Sequence, residues 1–360
     1  MNPKVRVAVN GYGVIGKRVA DAVRLQPDME LVGVSDVVGD YRIQVAEVHG
    51  IPVYAMTEDA RTTMREAGVG VQGTLPDLLS KIDVIVDCTP RTIASKNKVL
   101  YDSLGIKSIF QGAEKHALTG HSFVAQANYE TALNRDSTRV VSCNTTSIVR
   151  TLGALHKAGL VKKGWGTLAR RAVDPWASHT SGIMNTLVPE LHVPSHQAPD
   201  AQTIIPDLNL TTMALLTPQS ISHAHAWQIE MPRDASRDEV LEVLRDTPRV
   251  AFVRASDGIT ALNCNVELVH DLGRSRGDMW EVVVWEDILD TCGNELYMFY
   301  QVHNMSIVIP ENVDAIRALS GIEASGERSI AMTNETLGIV KDLLHSGLKA
   351  LPNAHVADAG

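Results

Sequence analysis

Cys143 stands where a strand gives way to a helix. The apolar pair Val140-Val141 leads into Ser142-Cys143-Asn144-Thr145-Thr146, and Ile148, Val149, Leu152 and Leu155 then fall on one helical face. A thiol at a helix amino end meets free backbone N–H groups and the positive end of the helix dipole, which favour a thiolate. Such a thiolate needs a base within hydrogen-bond reach. Among the thirteen histidines, His223 and His225 stand out in a His-Ala-His segment just ahead of an expected strand. Two histidines without a third ligand make a poor metal site, so no metal is expected. Arg170-Arg171 ends another expected strand. Paired guanidinium forks match phosphate oxygens, although a surface or subunit-contact role is equally open. The proline-bounded loop Val193 to Asp200 carries Ser195, His196 and Gln197 and can line the same anion site.

The chain also opens on a nucleotide-binding pattern. Residues 4–10 read as a buried strand, Gly11-x-Gly13-x-x-Gly16 as a tight turn, residues 17–23 as a helix, and residues 30–34 as a second strand ending near Asp36. In that setting the first glycine permits the turn, the second lets backbone approach pyrophosphate, and the third lets helix pack on sheet. Asp36 lies twenty residues beyond Gly16. A carboxylate there accepts ribose hydroxyls and repels a 2′-phosphate, which favours NAD over NADP, with Arg42 close enough in sequence to compensate. The strands Ile82–Asp87 and Ile106–Phe110 end at Thr89-Pro90 and Gln111-Gly112-Ala113. Ligands in such sheets bind outside the carboxyl ends of the strands, so Thr89, Gly112 and Ala113 are expected to face the cofactor. A thiol with a nicotinamide site points to aldehyde oxidation through a thioester.

The elements around these residues define an α/β protein: a Rossmann-type nucleotide-binding domain plus an α+β catalytic domain with a mixed or antiparallel sheet. The expected domains are residues 1–140 for NAD(P), residues 141–304 for catalysis and substrate, and a helical segment, 305–360, that returns to the first domain. In the catalytic part, 167–173, 211–217, 226–231, 259–269 and 280–287 read as strands and 238–244 as a helix. Further helices are expected at 310–319 and 334–344, with a frayed tail from Leu351. The 360 residues carry a net charge of −9, 4% aromatics and four cysteines without metal-ligand spacing. These argue against nucleic acid and for reduced thiols. No apolar run is long enough for a bilayer, and no charged leader precedes the first strand. A cytoplasmic protein with neither membrane nor nucleic-acid partner is expected.

The strings VAVNGYGVIGKRVADAV, DVIVDCTP, IFQGAEKH, RVVSCNTTS, DTPRV, LGRSRGD and IPENVDAIRA run from residue 5 to about 319. Together they resemble the archaeal-type (class II) phosphorylating glyceraldehyde-3-phosphate dehydrogenases. The resemblance implies conversion of D-glyceraldehyde 3-phosphate, phosphate and NAD(P)+ to 1,3-bisphosphoglycerate by a homotetramer in glycolysis or gluconeogenesis. It makes Cys143 the acylating nucleophile and His223 the base, with His225 second. Val14 and Ile15 follow the pyrophosphate, Gly112 and Ala113 the cofactor edge, and Arg171 the cofactor and substrate phosphates. Arg170, His196 and Gln197 become substrate contacts, although Gln197 stands where the family pairs a second histidine. Asn304 stands where the family usually has Gln beside the nicotinamide. Ser142 and Asn144 flank the thiol as substrate contacts, and the Asn144 side chain can face the oxyanion. Asp36 departs from the basic or neutral residue of many relatives and supports NAD. Rival readings are an aspartate-semialdehyde or erythrose-4-phosphate dehydrogenase, a thiol-free reductase, and a non-catalytic nucleotide-binding protein.

Overall fold

The computed structural model describes residues 3–350. The tail expected to fray, from Leu351, lies outside the described residues. The chain forms two compact units. One holds residues 1–142 with 308–337. The other holds residues 143–307 with the segment from Gly338 onward.

The first unit is built on eight parallel strands: β1 (Val5–Asn10), β2 (Met29–Asp36), β3 (Val53–Ala55), β4 (Gly73–Thr74), β5 (Val84–Asp87), β6 (Lys107–Phe110), β7 (Ser122–Phe123) and β8 (Ser137–Val140). Their order is β4-β3-β2-β1-β5-β6-β8-β7, so direction along the sheet reverses between β1 and β5. That reversal is the switch point at which such sheets bind ligands. Val7, Val9, Val34, Val84, Val86 and Ile109 are fully buried. Near-continuous apolar runs, rather than alternation, suit strands covered on both faces. The helix Ile309–Ser320 belongs to this unit. Its buried Arg317 donates to Asp28 at 2.7 and 3.0 Å, to Gln26 at 2.7 Å and to Thr333 at 2.6 Å. A buried guanidinium is tolerated because its donors are met in this way.

The second unit carries a mixed sheet of β9 (Lys163–Arg171), β10 (Val188–Pro189), β11 (Leu210–Thr217), β12 (His223–Glu230), β13 (Val250–Val253), β14 (Val282–Trp285), β15 (Asp290–Cys292) and β16 (Glu295–Val302). The order is β10-β11-β9-β12-β16-β14-β13, with β15 on β16. β9 runs parallel to β11 and antiparallel to β12, which runs antiparallel to β16. The α/β class with a Rossmann-type unit and a mixed-sheet unit therefore holds. The helix Cys143–Lys157 packs on β14 and β16.

Two local expectations fail. Residues 259–269 are not a strand; a helix runs Leu262–Asp271. Leu262, Asn265, Val266 and Val269 recur at helical spacing, and Asn265 and Val269 are fully buried. The last helix expected at 334–344 instead runs Gly326–Leu337. Gly338, at φ 62°, ends it in the left-handed conformation that glycine adopts without strain.

Candidate functional site

The sheet register decides which side chains of β12 share a face. His223, His225 and Trp227 alternate with Ala224, Ala226 and Gln228, so all three lie on one side. Their side is buried, whereas Ala226 and Gln228 are exposed. His225 pairs directly with Tyr300 on β16. On β9, Gly166 sits opposite Trp227, and a Cβ there would meet the indole at 2.6 Å. The glycine thus makes room for the ring.

Cys143 is the first residue of its helix, as expected. Its thiol pKa nonetheless lies above the ordinary value. Burial pushes it up; Arg171, the Asn144 amide and Arg170 pull it down without winning. The helix terminus therefore moderates the desolvation cost rather than yielding a resting thiolate.

His223 accepts a hydrogen bond at Nδ1 from the backbone N–H of Arg171, at 3.0 Å. A backbone amide can only donate, so the neutral ring carries its proton on Nε2. Burial, then Arg171, His225, Arg170 and His303, hold the ring's pKa well below the usual histidine range. The ring expected to act as a base thus rests as a hydrogen-bond donor. It can accept a proton at Nε2 only after losing the Arg171 contact. His225 is fully buried and has both nitrogens engaged, Nδ1 with Tyr300 at 3.0 Å and Nε2 with Asn144 at 2.9 Å. That leaves it no lone pair for a thiol proton or a metal. Among the described residues no group of three or more His, Cys, Asp or Glu is arranged to hold a metal ion.

The anion candidates divide by how they are held. Arg171 is gripped by Asp174 through Nη2, while its Nε and Nη1 are buried without partners. Arg170 gives Nη1 to Glu190 at 3.4 Å and keeps a buried Nε without a partner. Glu190 also meets His192 at 3.2 Å and His196 at 3.3 Å. Gln197 is fully buried with neither amide atom satisfied. Asn304 follows β16 and has a buried Oδ1 without a partner. Unpaired buried polar atoms cost free energy unless a ligand or water meets them.

In the first unit, Gly11 adopts φ 90° at the end of β1, and a Cβ on Gly16 would stand 1.9 Å from the Gly11 carbonyl oxygen. Around Gly13, at the amino end of the helix Val14–Leu25, there is open space instead. Backbone and phosphate can meet there. Val14 and Ile15 open that helix, half-buried. Asp36 ends β2 and accepts from Tyr12 N–H at 2.7 Å and Val37 N–H at 2.7 Å. Its carboxylate thus lies against the glycine turn with lone pairs to spare. Arg42 is paired with Asp40. Thr89 follows β5 and donates to buried Asp87. Gly112 approaches Ser142 so closely that a Cβ would lie 2.3 Å from its nitrogen, and Ala113 beside it is exposed.

Cys143, Asn144, Arg170, Arg171, His196, Gln197, His223 and Asn304 all belong to the second unit; the glycine turn, Asp36, Thr89, Gly112, Ala113 and Ser142 belong to the first. Sequence reasoning missed Glu190, Asp174, Trp227 and Tyr300. The alternation of His-Ala-His-Ala-Trp could have placed Trp227 beside the histidines. Nothing in the sequence pairs His225 with Tyr300.

A doubly wound parallel sheet with a glycine turn, joined in one chain to a mixed-sheet unit bearing a thiol among arginines, defines an NAD(P)-dependent dehydrogenase. Comparison with known proteins narrows the class. Residues 142–287 match the glyceraldehyde 3-phosphate dehydrogenase C-terminal domain. The chain is 45% identical over 337 residues to the glyceraldehyde-3-phosphate dehydrogenase of Methanococcoides burtonii, covering 93% of this chain and 99% of the relative. It is 45% identical over 338 residues to that of Thermococcus kodakarensis, covering 94% and 100%, and 44% identical over 336 residues to that of Methanobacterium bryantii, covering 93% and 99%. The chain belongs to the archaeal-type glyceraldehyde-3-phosphate dehydrogenase family.

Proposed function

We propose that this chain oxidises D-glyceraldehyde 3-phosphate with inorganic phosphate and NAD(P)+ to 1,3-bisphosphoglycerate, through a thioester on Cys143. The reaction belongs to glycolysis or gluconeogenesis. The observation that carries the reading is a helix-terminal thiol in the same unit as Arg171, whose guanidinium has two buried nitrogens unpaired. In this reading residues 1–142 with 308–337 hold the cofactor, and the second unit holds substrate and phosphate.

The thiol releases its proton to solvent, with Arg171 and the Asn144 amide favouring the anion. Sulfur adds to the aldehyde carbon, and the carbonyl electrons move to oxygen. His223 donates from Nε2 to that oxygen, and Asn144 supplies a second donor. When bound, NAD(P)+ accepts the hydride that leaves this carbon as the C=O bond re-forms. No proton moves in that step, because the oxygen is already an alkoxide. Phosphate oxygen then attacks the thioester carbon and expels the Cys143 thiolate. Arg170, Arg171, His196 and Gln197 serve the two phosphate positions. The unsatisfied Gln197 amide supports a ligand there despite the missing second histidine. Asn304 presents its amide to the nicotinamide.

For the cofactor, Gly11, Gly13, Val14, Ile15 and Gly16 cradle pyrophosphate, with Thr89, Gly112 and Ala113 at the edge. Asp36 takes the ribose hydroxyls, and NAD is preferred. The Asp40 pair supports this, because it occupies the guanidinium of Arg42 that a 2′-phosphate would need. Absorbance assays for NADH and NADPH, with and without phosphate or arsenate, test both points. Phosphate-dependent reduction, faster with NAD, is expected, and Asp36→Ala should narrow the ratio. No turnover with this aldehyde by folded protein would instead reopen the semialdehyde reading. An unchanged cofactor ratio would remove Asp36 from the argument.

The protein is also read as a cytoplasmic homotetramer. Trp176, Met184, Leu187, Leu191 and Val193 are exposed in one stretch of the second unit, which supports contact with another copy. The four free cysteines fit a reducing compartment. No helix among the described residues is long and apolar enough to cross a membrane. Sedimentation at the mass of four chains is expected, and a monomer at assay concentration would refute the assembly.

A further inference from the structure

We infer that Trp227, Tyr300 and His225 form a one-way hydrogen-bond relay that turns the Asn144 amide so that its NH2 group faces the reacting oxygen. The inference rests on the thioester reading of Cys143.

The relay has four members, each almost fully buried: Trp227, Tyr300, His225 and Asn144. Trp227 Nε1 lies 3.0 Å from Tyr300 Oη. Tyr300 Oη lies 3.0 Å from His225 Nδ1, and His225 Nε2 lies 2.9 Å from Asn144 Oδ1. The first link has a fixed direction, because an indole N–H can only donate. Tyr300 oxygen therefore accepts. Tyr300 also bonds the hydroxyls of Ser147 and Thr151, so the next link is read from its other end. His225 is held neutral, its pKa pushed down to about 3 by burial and by Arg170. The Asn144 atom facing the neutral ring is Oδ1, so Nε2 donates to it and Nδ1 accepts from Tyr300. Asn144 Nδ2 is thereby turned away from the ring, and it has no partner among the described residues.

The relay is held by a strand ladder and a helix start. His225 and Trp227 are two apart on β12, and Tyr300 faces His225 across the ladder with ring centroids 4.9 Å apart. Gly166 on β9 leaves the space that the indole fills. Asn144 sits on the first turn of the helix that begins with the thiol. Catalysis gains from donors fixed before charge develops, since no reorientation is then needed as the oxyanion forms. Tyr300, Trp227 and His225 are positioning residues; of the four, Asn144 alone is assigned a contact with the substrate.

A double-mutant cycle on the full-length enzyme tests this, read as the rate of the first-turnover burst of NADH. Asn144→Ala should slow the burst roughly 10²- to 10³-fold, the usual cost of one oxyanion donor. Tyr300→Phe should slow it about tenfold or more with KM for the aldehyde unchanged. The double variant should be no slower than Asn144→Ala alone, because the relay has nothing left to orient. Iodoacetamide should react with Cys143 at the same rate in wild type and Tyr300→Phe. His225→Gln, which can still donate to Asn144, should retain more activity than His225→Leu. If Tyr300→Phe does not fold, Trp227→Phe removes the indole donor, together with some packing against Gly166, and enters the same cycle. Additive losses, or a wild-type burst in Asn144→Ala, would overturn the relay. A wild-type enzyme with no burst on this aldehyde would instead overturn the activity reading.

Discussion

Cys143→Ser is expected to lower phosphate-dependent turnover at least about 10⁴-fold, in line with removal of a covalent nucleophile. A serine hydroxyl in the same buried position ionises far less readily than a thiol. It also cannot give a thioester, the species that phosphate must cleave. Cofactor binding, followed by quenching of protein fluorescence, should survive, because the residues proposed to hold it are unchanged. Turnover near the wild-type level would remove Cys143 from the chemistry. The wild-type thiol makes a companion test. Burial raises its pKa more than Arg171 lowers it. Its alkylation rate should therefore climb with pH through a midpoint above the ordinary thiol value of about 8.5. Arg171→Leu should move that midpoint higher still, since it removes a positive charge that favours the anion.

His223→Ala is expected to slow the first-turnover burst about 10²- to 10⁴-fold, the range for a positioned acid–base or donor group. The structure makes a sharper forecast than the size of the loss. The Arg171 amide takes Nδ1, so the resting ring has no lone pair on Nε2 with which to draw off the thiol proton. Alkylation of Cys143 by uncharged iodoacetamide should thus be almost as fast in His223→Ala as in wild type. A parallel collapse of alkylation and burst would show that His223 forms an ion pair with the thiolate and that the donor assignment is wrong. The ring's depressed pKa adds a pH consequence. His223 stays neutral through the physiological range, so the rise of activity with pH should report ionisation of the Cys143 thiol and not this histidine.

What the sequence made legible depended on how local each determinant was. The glycine turn, Asp36 and the helix after Cys143 are set by residues a few positions apart, so residue type and spacing suffice to place them. β9 was harder. Its expected start at 167 lies inside a strand that begins at Lys163. Gly164 and Gly166 disguise that start, because glycine weakens a strand unless something occupies the missing side chain's space. Here Leu210 and Trp227 do so. β16 was missed altogether, although Glu295–Val302 is rich in aromatic and β-branched residues. The misread helix Leu262–Asp271 shows the opposite failure, a helical period hidden in a short apolar stretch. At the site, residue types were readable and their states were not. A sequence shows two histidines two apart; it cannot show that a backbone amide dictates the tautomer of one, or that the other meets Tyr300 and Asn144.

Glu190 gives the anion site a character that a list of cationic residues would miss. One carboxylate already sits between Arg170 and the imidazoles of His192 and His196. At the proposed site an arriving phosphate would therefore not be added to a bare positive cluster but exchanged for an anion that the chain supplies itself. Such a swap leaves the local charge less altered than simple capture would. Affinity then reflects the difference between two anions' fit to the same guanidinium. If this is the phosphate site, a dianionic ester would compete for it better than a singly charged anion, and the resident glutamate would act as a threshold against common cellular anions.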